Sequence, residues 1–172
     1  DPAGSPVASA LAFDLEGVRL DHYCTTPPPR LDIVRAGEVV HYTLAGEAFG
    51  PWQPQSSFMA RMVSSLIHGQ PFQMEAAGET VRDWLPIRDL ASGLLRAAEA
   101  APAQSRFDLS VGAERRDIDI AESVCSLLDE RSPMAGQTWS SLLAPVGDGV
   151  GASAGPMLDA IEAERDLSWQ PQ

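Results

Sequence analysis

Lysine is absent from this 172-residue sequence, in which all twelve basic residues are arginine. A chain without lysine cannot form a Schiff base, a P-loop lysine contact or a Tyr-x-x-x-Lys catalytic pair. Negative charge dominates the chain, because 24 Asp and Glu residues outnumber the twelve arginines and give a net charge of -12. An acidic surface repels phosphate backbones and anionic lipids, so we expect no nucleic-acid or membrane partner.

Cysteines and long apolar runs are also scarce. Cys24 and Cys125 are too few for a metal cluster or a disulfide framework, and we interpret both as buried or half-buried apolar residues. No apolar run approaches the ~18 residues of a membrane helix, and no basic-then-apolar leader is present. We therefore expect a cytoplasmic protein without a metal. The first residues are Asp1-Pro2 rather than Met, so we expect a processed or partial chain.

A dinucleotide-binding fingerprint is missing as well. Residues 149–154 do satisfy the relaxed pattern Gly-x-Gly-x-x-Ala, in which backbone amides at a helix start would hold a pyrophosphate. No clear strand precedes them, however, and Pro156 follows, so we interpret 144–155 as a flexible loop. The sequence thus predicts no cofactor-binding residue.

Apolar periodicity divides the chain into two parts. Residues 1–36 form a loose or strand-rich segment, and residues 37–172 form an α/β region in which the period changes from 2 to 3.6 after Pro51. We predict strands near 39–46 and 106–111, and helices near 55–68, 89–100, 117–129 and 156–165. Ser56 or Ser57, Asp89 and Asp117 are the expected helix caps.

Four segments of the chain match known sequence motifs in a fixed order. Residues 46–52 (GEAFGPW) resemble Asn-x-Tyr-Gly-Pro, and the helix ending at 68–72 (HGQPF) resembles a helix that runs into Gly-x-Pro. Residues 78–91 (GETVRDWLPIRDLA) resemble an Arg-Asp-Phe/Trp block, the most specific of the four, and residues 166–171 (DLSWQP) resemble a terminal Leu-Gly-Trp-x-Pro. In this order the segments are similar to the motifs of the NAD-dependent epimerase/dehydratases, the extended short-chain dehydrogenase/reductase family.

The resemblance covers about three-quarters of the chain. It implies the C-terminal half of a Rossmann-like extended short-chain dehydrogenase, preceded by a strand-rich N-terminal segment. Three features depart from the family: Glu47 stands at the Asn position, Phe49 stands at the Tyr position, and the Tyr-x-x-x-Lys pair is absent. The resemblance therefore implies ancestry and local fold rather than hydride transfer.

The function implied by the resemblance is that of a bacterial relative of sugar or nucleotide-sugar epimerases, dehydratases and dehydrogenases in carbohydrate metabolism. Its cofactor would be NAD, its substrate a small anionic or sugar molecule, and it could form a homo-oligomer. Two alternatives stay open. The chain could be a cofactor-free isomerase, cyclase or hydrolase, or it could be a non-catalytic binding module.

The resemblance also implies substrate-binding residues. Arg82 would give a planar fork of donors to an anionic substrate group, and Phe49, Trp52 and Gln53 would border the substrate from the preceding loop. Trp52 is the best candidate for an aromatic side chain that faces the ligand. The alternative for Arg82 is a local ion pair or a contact that braces the backbone.

His41, Tyr42 and Glu47 are the candidates for acid–base catalysis, because they lie on one predicted strand and the loop after it. Successive strand residues point to opposite faces, so His41 and Tyr42 diverge, which disfavours a catalytic pair. The spacing of Glu38, His41 and Glu47 fits no standard metal site.

The missing fingerprint and the missing lysine generate a prediction about the cofactor. Those groups normally hold the pyrophosphate and the nicotinamide ribose, so the chain as printed should not bind NAD tightly. Isothermal titration calorimetry with NAD measures this directly. Binding in the micromolar range would contradict it.

Overall fold

The computed structural model describes residues 14–15, 18–23, 30–36, 38–44, 46–102, 104–150, 152, 154 and 158–172. Their strands are β1 (Asp14–Leu15), β2 (Val18–Tyr23), β3 (Arg30–Arg35), β4 (Glu38–Leu44), β5 (Gly46–Phe49), β6 (Phe72–Met74), β7 (Val81–Pro86), β8 (Arg106–Leu109), β9 (Glu114–Arg116) and β10 (Leu143–Pro145). Their α-helices are α1 (Phe58–Ile67), α2 (Ile87–Ala100), α3 (Asp117–Arg131) and α4 (Ile161–Leu167).

A five-stranded sheet joins the N-terminal strands to the α/β region, in the order β1-β2-β3-β4-β8. The pairs from β1 to β4 are antiparallel, whereas β4 and β8 are parallel, with Tyr42 opposite Phe107. The strand-rich N-terminal segment and the α/β fold class are both confirmed. The domain boundary between residues 36 and 37 stays a prediction, and β3 pairs with β4 across it.

Two smaller sheets contain the remaining strands. The order of the first is β5-β7-β9, and the second pairs β10 with β6 in parallel, with Leu143 opposite Phe72. The prediction of a flexible loop from 144 is therefore wrong for Ala144 and Pro145. A three-residue strand is too short to show an alternating pattern, and backbone pairing with β6 determines its conformation.

The helices lie close to their predicted positions. In α1, the Ser57 side chain accepts a hydrogen bond from the Ala60 amide at 3.4 Å, which confirms the predicted cap. The last helix starts at Ile161, later than predicted, and residues 155–157 lie outside the described part. Within the described part, no helix is both long and apolar enough to cross a bilayer.

Asp89 and Asp117 do not cap their helices, so both predictions are wrong. The α2 helix begins two residues before Asp89, and the Asp89 carboxylate accepts a hydrogen bond from the Gln172 amide at 3.3 Å. Asp117 is the first residue of α3, where its carboxylate binds an arginine of another element. In both cases a tertiary contact takes the oxygen atoms that a local cap would have used.

Two apolar clusters form the core. The first packs α2 and α4 against the five-stranded sheet, and includes Ile33, Val40, Leu90, Phe107, Leu109 and Trp169. The second packs α1 and α3 around β6 and β7, and includes Phe58, Met62, Leu66, Trp84 and Trp139. Cys125 is buried in the second cluster, as expected, whereas Cys24 lies outside the described residues.

Gly93 generates a packing prediction. A Cβ at this position in α2 would lie 2.8 Å and 2.9 Å from the buried methyl groups of Leu109 and 3.1 Å from Trp169. Gly93→Val should therefore lower the free energy of unfolding by about 1–3 kcal/mol through overpacking. The matched control is Ala91→Val on the exposed face of the same helix. Urea denaturation that gives equal losses for both variants would contradict the prediction.

Cys125 generates a prediction about reactivity and pH. Burial, with smaller contributions from Asp129 and Glu122, raises the pKa of Cys125 to about 11. An unfolded thiol titrates near pH ~8.5, so between these values the folded state holds a proton that the unfolded state releases. Stability should therefore fall as pH rises through this window.

The measurement uses a Cys24→Ser variant, in which Cys125 is the only thiol of the chain. Ellman's reagent at about pH 8 should react with it only as fast as the protein unfolds, because the thiol is buried and protonated. Rapid labelling of the folded protein would contradict the assignment.

Candidate functional site

The candidate site is formed where β5, β7 and β9 lie side by side. β5 and β7 are parallel, with Glu47 opposite Trp84, and β9 is antiparallel to β7, with Arg115 opposite Arg82. The helix α3 follows β9 without a break, which places Asp117 beside Arg82. Three elements that are distant in sequence thus bring one arginine and two carboxylates together.

The Arg82 guanidinium contacts both carboxylates. Its Nε donates to Asp117 Oδ1 at 2.9 Å and its Nη2 donates to Asp117 Oδ2 at 3.2 Å, which is a bidentate pair. Its Nη1 donates to Glu47 Oε2 at 3.5 Å. The side chain of Asp117 is only 5% exposed, whereas that of Arg82 is 35% exposed. The arginine therefore connects a buried carboxylate to the surface.

The electrostatics keep Arg82 charged. Burial opposes its charge, but the hydrogen bond to Asp117 and the charges of Asp117, Glu47 and Glu75 outweigh burial and raise the pKa of Arg82. Burial raises the pKa of Asp117 as well, although Arg82 acts in the opposite direction. The ionised form of Asp117 is thus disfavoured by burial and stabilised by Arg82.

Asp83, the next residue of the motif, has a separate structural role. It is buried, and both of its carboxylate oxygens accept the amide hydrogen of Val111, at 3.2 Å and 3.1 Å. Successive residues of β7 point to opposite faces, so Arg82 and Asp83 serve different neighbours. Asp83 therefore holds the chain just after β8 against β7.

The loop after β5 places the other predicted substrate contacts. Gly50 has φ +148°, and a Cβ there would lie 2.2 Å from the Ile87 side chain, so only glycine fits. Trp52 has φ +69° and is fully exposed. The side-chain oxygen of Gln53 is buried and has no hydrogen-bond partner among the described residues.

A cleft of about 300 Å³ lies between this loop and the start of α2. Its lining residues are Phe49, Gly50, Pro51, Pro86, Ile87, Arg88, Asp89 and Gln172. Phe49 thus borders a cleft, whereas Arg82, Trp52 and Gln53 do not line it. The roles of these four residues in substrate binding stay predictions.

The aromatic residues near Arg82 belong to the core. Trp84 makes edge contacts with Phe49 at 6.2 Å and with Phe58 at 5.6 Å between ring centroids, and Phe58 makes another with Phe72 at 5.2 Å. Trp84, Phe58 and Phe72 are all buried. Their packing fixes β7 against α1 and β6, and with it the strand that carries Arg82.

The structure separates the three candidates for acid–base catalysis. His41 and Tyr42 lie on β4 in the five-stranded sheet, where His41 pairs with Asp32 and Arg106 in the backbone register. Glu47 lies on β5 in a different sheet. Their catalytic roles stay predictions. Among the described residues, no group of three or more His, Cys, Asp and Glu side chains is arranged to hold a metal ion.

Asp117 is the site residue that the sequence analysis missed. It was interpreted as a helix cap, because an acidic residue at a helix start usually binds backbone amides. No local pattern in the sequence links Asp117 to Arg82, because 35 residues separate them. Only the pairing of β7 with β9 brings the two side chains within hydrogen-bond distance.

Comparison with known proteins identifies relatives of this region. Residues 40–112 match the family model described as the NAD dependent epimerase/dehydratase family. A probable dTDP-glucose 4,6-dehydratase of Sinorhizobium fredii is 30% identical over 125 residues, which are 72% of this chain and 35% of that protein. The dTDP-glucose 4,6-dehydratase of Salmonella typhimurium is 25% identical over 123 residues, 72% of this chain and 34% of that protein. The chain thus spans about a third of the length of these curated relatives.

Solved structures share the fold. A dTDP-glucose 4,6-dehydratase from Bacillus anthracis in complex with NAD has a TM-score of 0.63 at 20% identity, covering 76% of this chain and 39% of that one. A UDP-glucose 4-epimerase from Thermotoga maritima with UDP-glucose has a TM-score of 0.60 at 20% identity, covering 76% and 40%. The resemblance carried by the four sequence motifs is confirmed.

Proposed function

Because this chain belongs, through its C-terminal part, to the extended short-chain dehydrogenase/reductases, the NAD-dependent epimerase/dehydratases, we propose that it supplies the substrate-binding part of such an enzyme. The proposed substrate is a sugar or a nucleotide sugar. The observation that carries the proposal is Arg82: it lies in the family's Arg-Asp-Trp block, it is charged, and about a third of its side chain is open to solvent. A cytoplasmic location and a homo-oligomeric state stay predictions.

The proposed site uses three neighbouring features. Asp117 and Glu47 together take three of the five N–H groups of Arg82, so one N–H on Nη1 and one on Nη2 are available to a ligand oxygen. Glu47, whose side chain is 21% exposed, offers carboxylate oxygens that accept hydrogen bonds from ligand hydroxyl groups. Phe49 and the loop after it border the cleft at the start of α2, where a ring could pack. Such a combination of planar, polar and aromatic contacts suits a sugar.

NAD does not fit the residues described here. A pyrophosphate site needs a strand, a glycine-rich turn and a helix start. The α2 helix follows β7 directly at Pro86, and α3 carries Asp117 and Asp119 in its first turn, where they would repel an anion. No helix start in the described part follows a glycine-rich turn of this kind. We assign no NAD contact to these residues.

Substitution of Arg82 tests the proposal. Arg82→Lys keeps the charge but loses the planar fork, so it should weaken the binding of UDP-glucose or an uncharged glucoside about tenfold or more. Arg82→Ala should remove binding, and it should also lower the melting temperature, because the buried Asp117 loses its partner. Calorimetric affinity is measured beside the melting temperature for each variant.

Arg116→Lys is the matched control. Arg116 also bridges two acids, Glu79 and Asp119, but it does so on the exposed surface away from Glu47. This variant should bind like the unchanged protein. If both Arg82 variants melt early and their folded fraction binds normally, Arg82 is a structural brace, and the proposed site is wrong.

A further inference from the structure

One edge of the Arg82 guanidinium, formed by Nε and Nη2, is already occupied. A guanidinium recognises a phosphate through two parallel N–H donors, and the Nε and Nη2 pair of Arg82 is committed to Asp117. The Asp117 side chain is 5% exposed, so its displacement would leave a buried carboxylate without a partner. A third N–H group, on Nη1, donates to Glu47 at 3.5 Å, so the two N–H groups left for a ligand, one on Nη1 and one on Nη2, lie beside the Glu47 carboxylate.

Glu47 is held in this position from two sides. While Oε2 accepts from Arg82, Oε1 accepts from the amide of Phe58 at 3.4 Å, at the first residue of α1. Its side chain is 21% exposed, so its charge is only partly screened by water. Glu47 therefore places a fixed negative charge beside the N–H groups of Arg82 that are left for a ligand.

The charges around Arg82 sum to a negative value. Asp117, Glu47 and Glu75 all act on the guanidinium. Arg115, opposite Arg82 on β9, is the other arginine at this position of the sheet. Three carboxylates against two arginines leave an excess of one negative charge. A diphosphate entering this position would meet repulsion, whereas hydroxyl groups would find acceptors.

We infer that Glu47 determines the charge preference of this site, disfavouring a diphosphate at Arg82 and favouring an uncharged, hydroxyl-bearing sugar group. The inference rests on the proposed function and specifies its substrate class. Glu47 stands where the related motif has Asn, a neutral residue, so this chain carries a charge where that motif has none. The sugar ring, rather than a phosphate, is then the part of the substrate that contacts Arg82.

The test compares UDP-glucose with methyl α-glucoside on the unchanged chain and on Glu47→Gln. Glutamine keeps an oxygen for the Phe58 amide but removes the charge. UDP-glucose should bind about tenfold more tightly to the variant, which corresponds to ~1.4 kcal/mol, while the neutral glucoside should bind no more tightly. Glu47→Asn is a second neutral variant if the first is unstable.

Glu79→Gln is the control for total charge. Glu79 pairs with Arg116 on the exposed surface, so its neutralisation changes the net charge equally but should leave both affinities unchanged. The inference is overturned if UDP-glucose binds no more tightly to either Glu47 variant, or if Glu79→Gln has the same effect. Failure of the proposed function would appear separately, as sugar binding that Arg82→Lys does not weaken.

Discussion

The ion pair between Arg82 and Asp117 is the contact on which the site and much of its surroundings depend. It joins β7 to the first residue of α3, and the Asp117 amide donates to Thr80 O at 2.9 Å beside it. A carboxylate this deeply buried is tolerated only with a partner. Fixing the start of α3 directs Ala121 and Cys125 into the second core cluster, against the residues of α1. The same pair thus serves packing and presents Arg82 Nη1 at the surface.

The site combines rigid support with an unusual charge pattern. Buried aromatic side chains hold β5, β7 and α1 together beneath it, and Gly50 allows the loop after β5 to pass close to Ile87. Next to these side chains, Arg82 is shared by the carboxylates of Asp117 and Glu47. A structural ion pair and a ligand-binding arginine therefore share the same side chain, so substitution of Arg82 alone would mix stability with binding. Glu47→Gln changes the charge while keeping the support.

The fold was predictable where elements were long and periodic. The helices α1 to α3 and strands β4 and β8 have enough residues to display one apolar face. The strands β9 and β10 have three residues each, and no periodicity can be read from so few. The caps predicted at Asp89 and Asp117 were wrong for a related reason: local preference was overridden by contacts with Gln172 and Arg82. Asp83 and Arg82 were recognisable from their motif, but their partners Val111 and Asp117 were not.

The sequence by itself determined the acidic, lysine-free character of the chain, its α/β periodicity and the family motifs, because composition, spacing and local order are properties of the linear chain. Only the tertiary structure decided what Arg82 contacts. Its two carboxylate partners are each 35 residues away in sequence, in opposite directions. They meet because β7 lies between β5 and β9, and strand pairing of this kind follows from the packing of the whole domain rather than from any short segment.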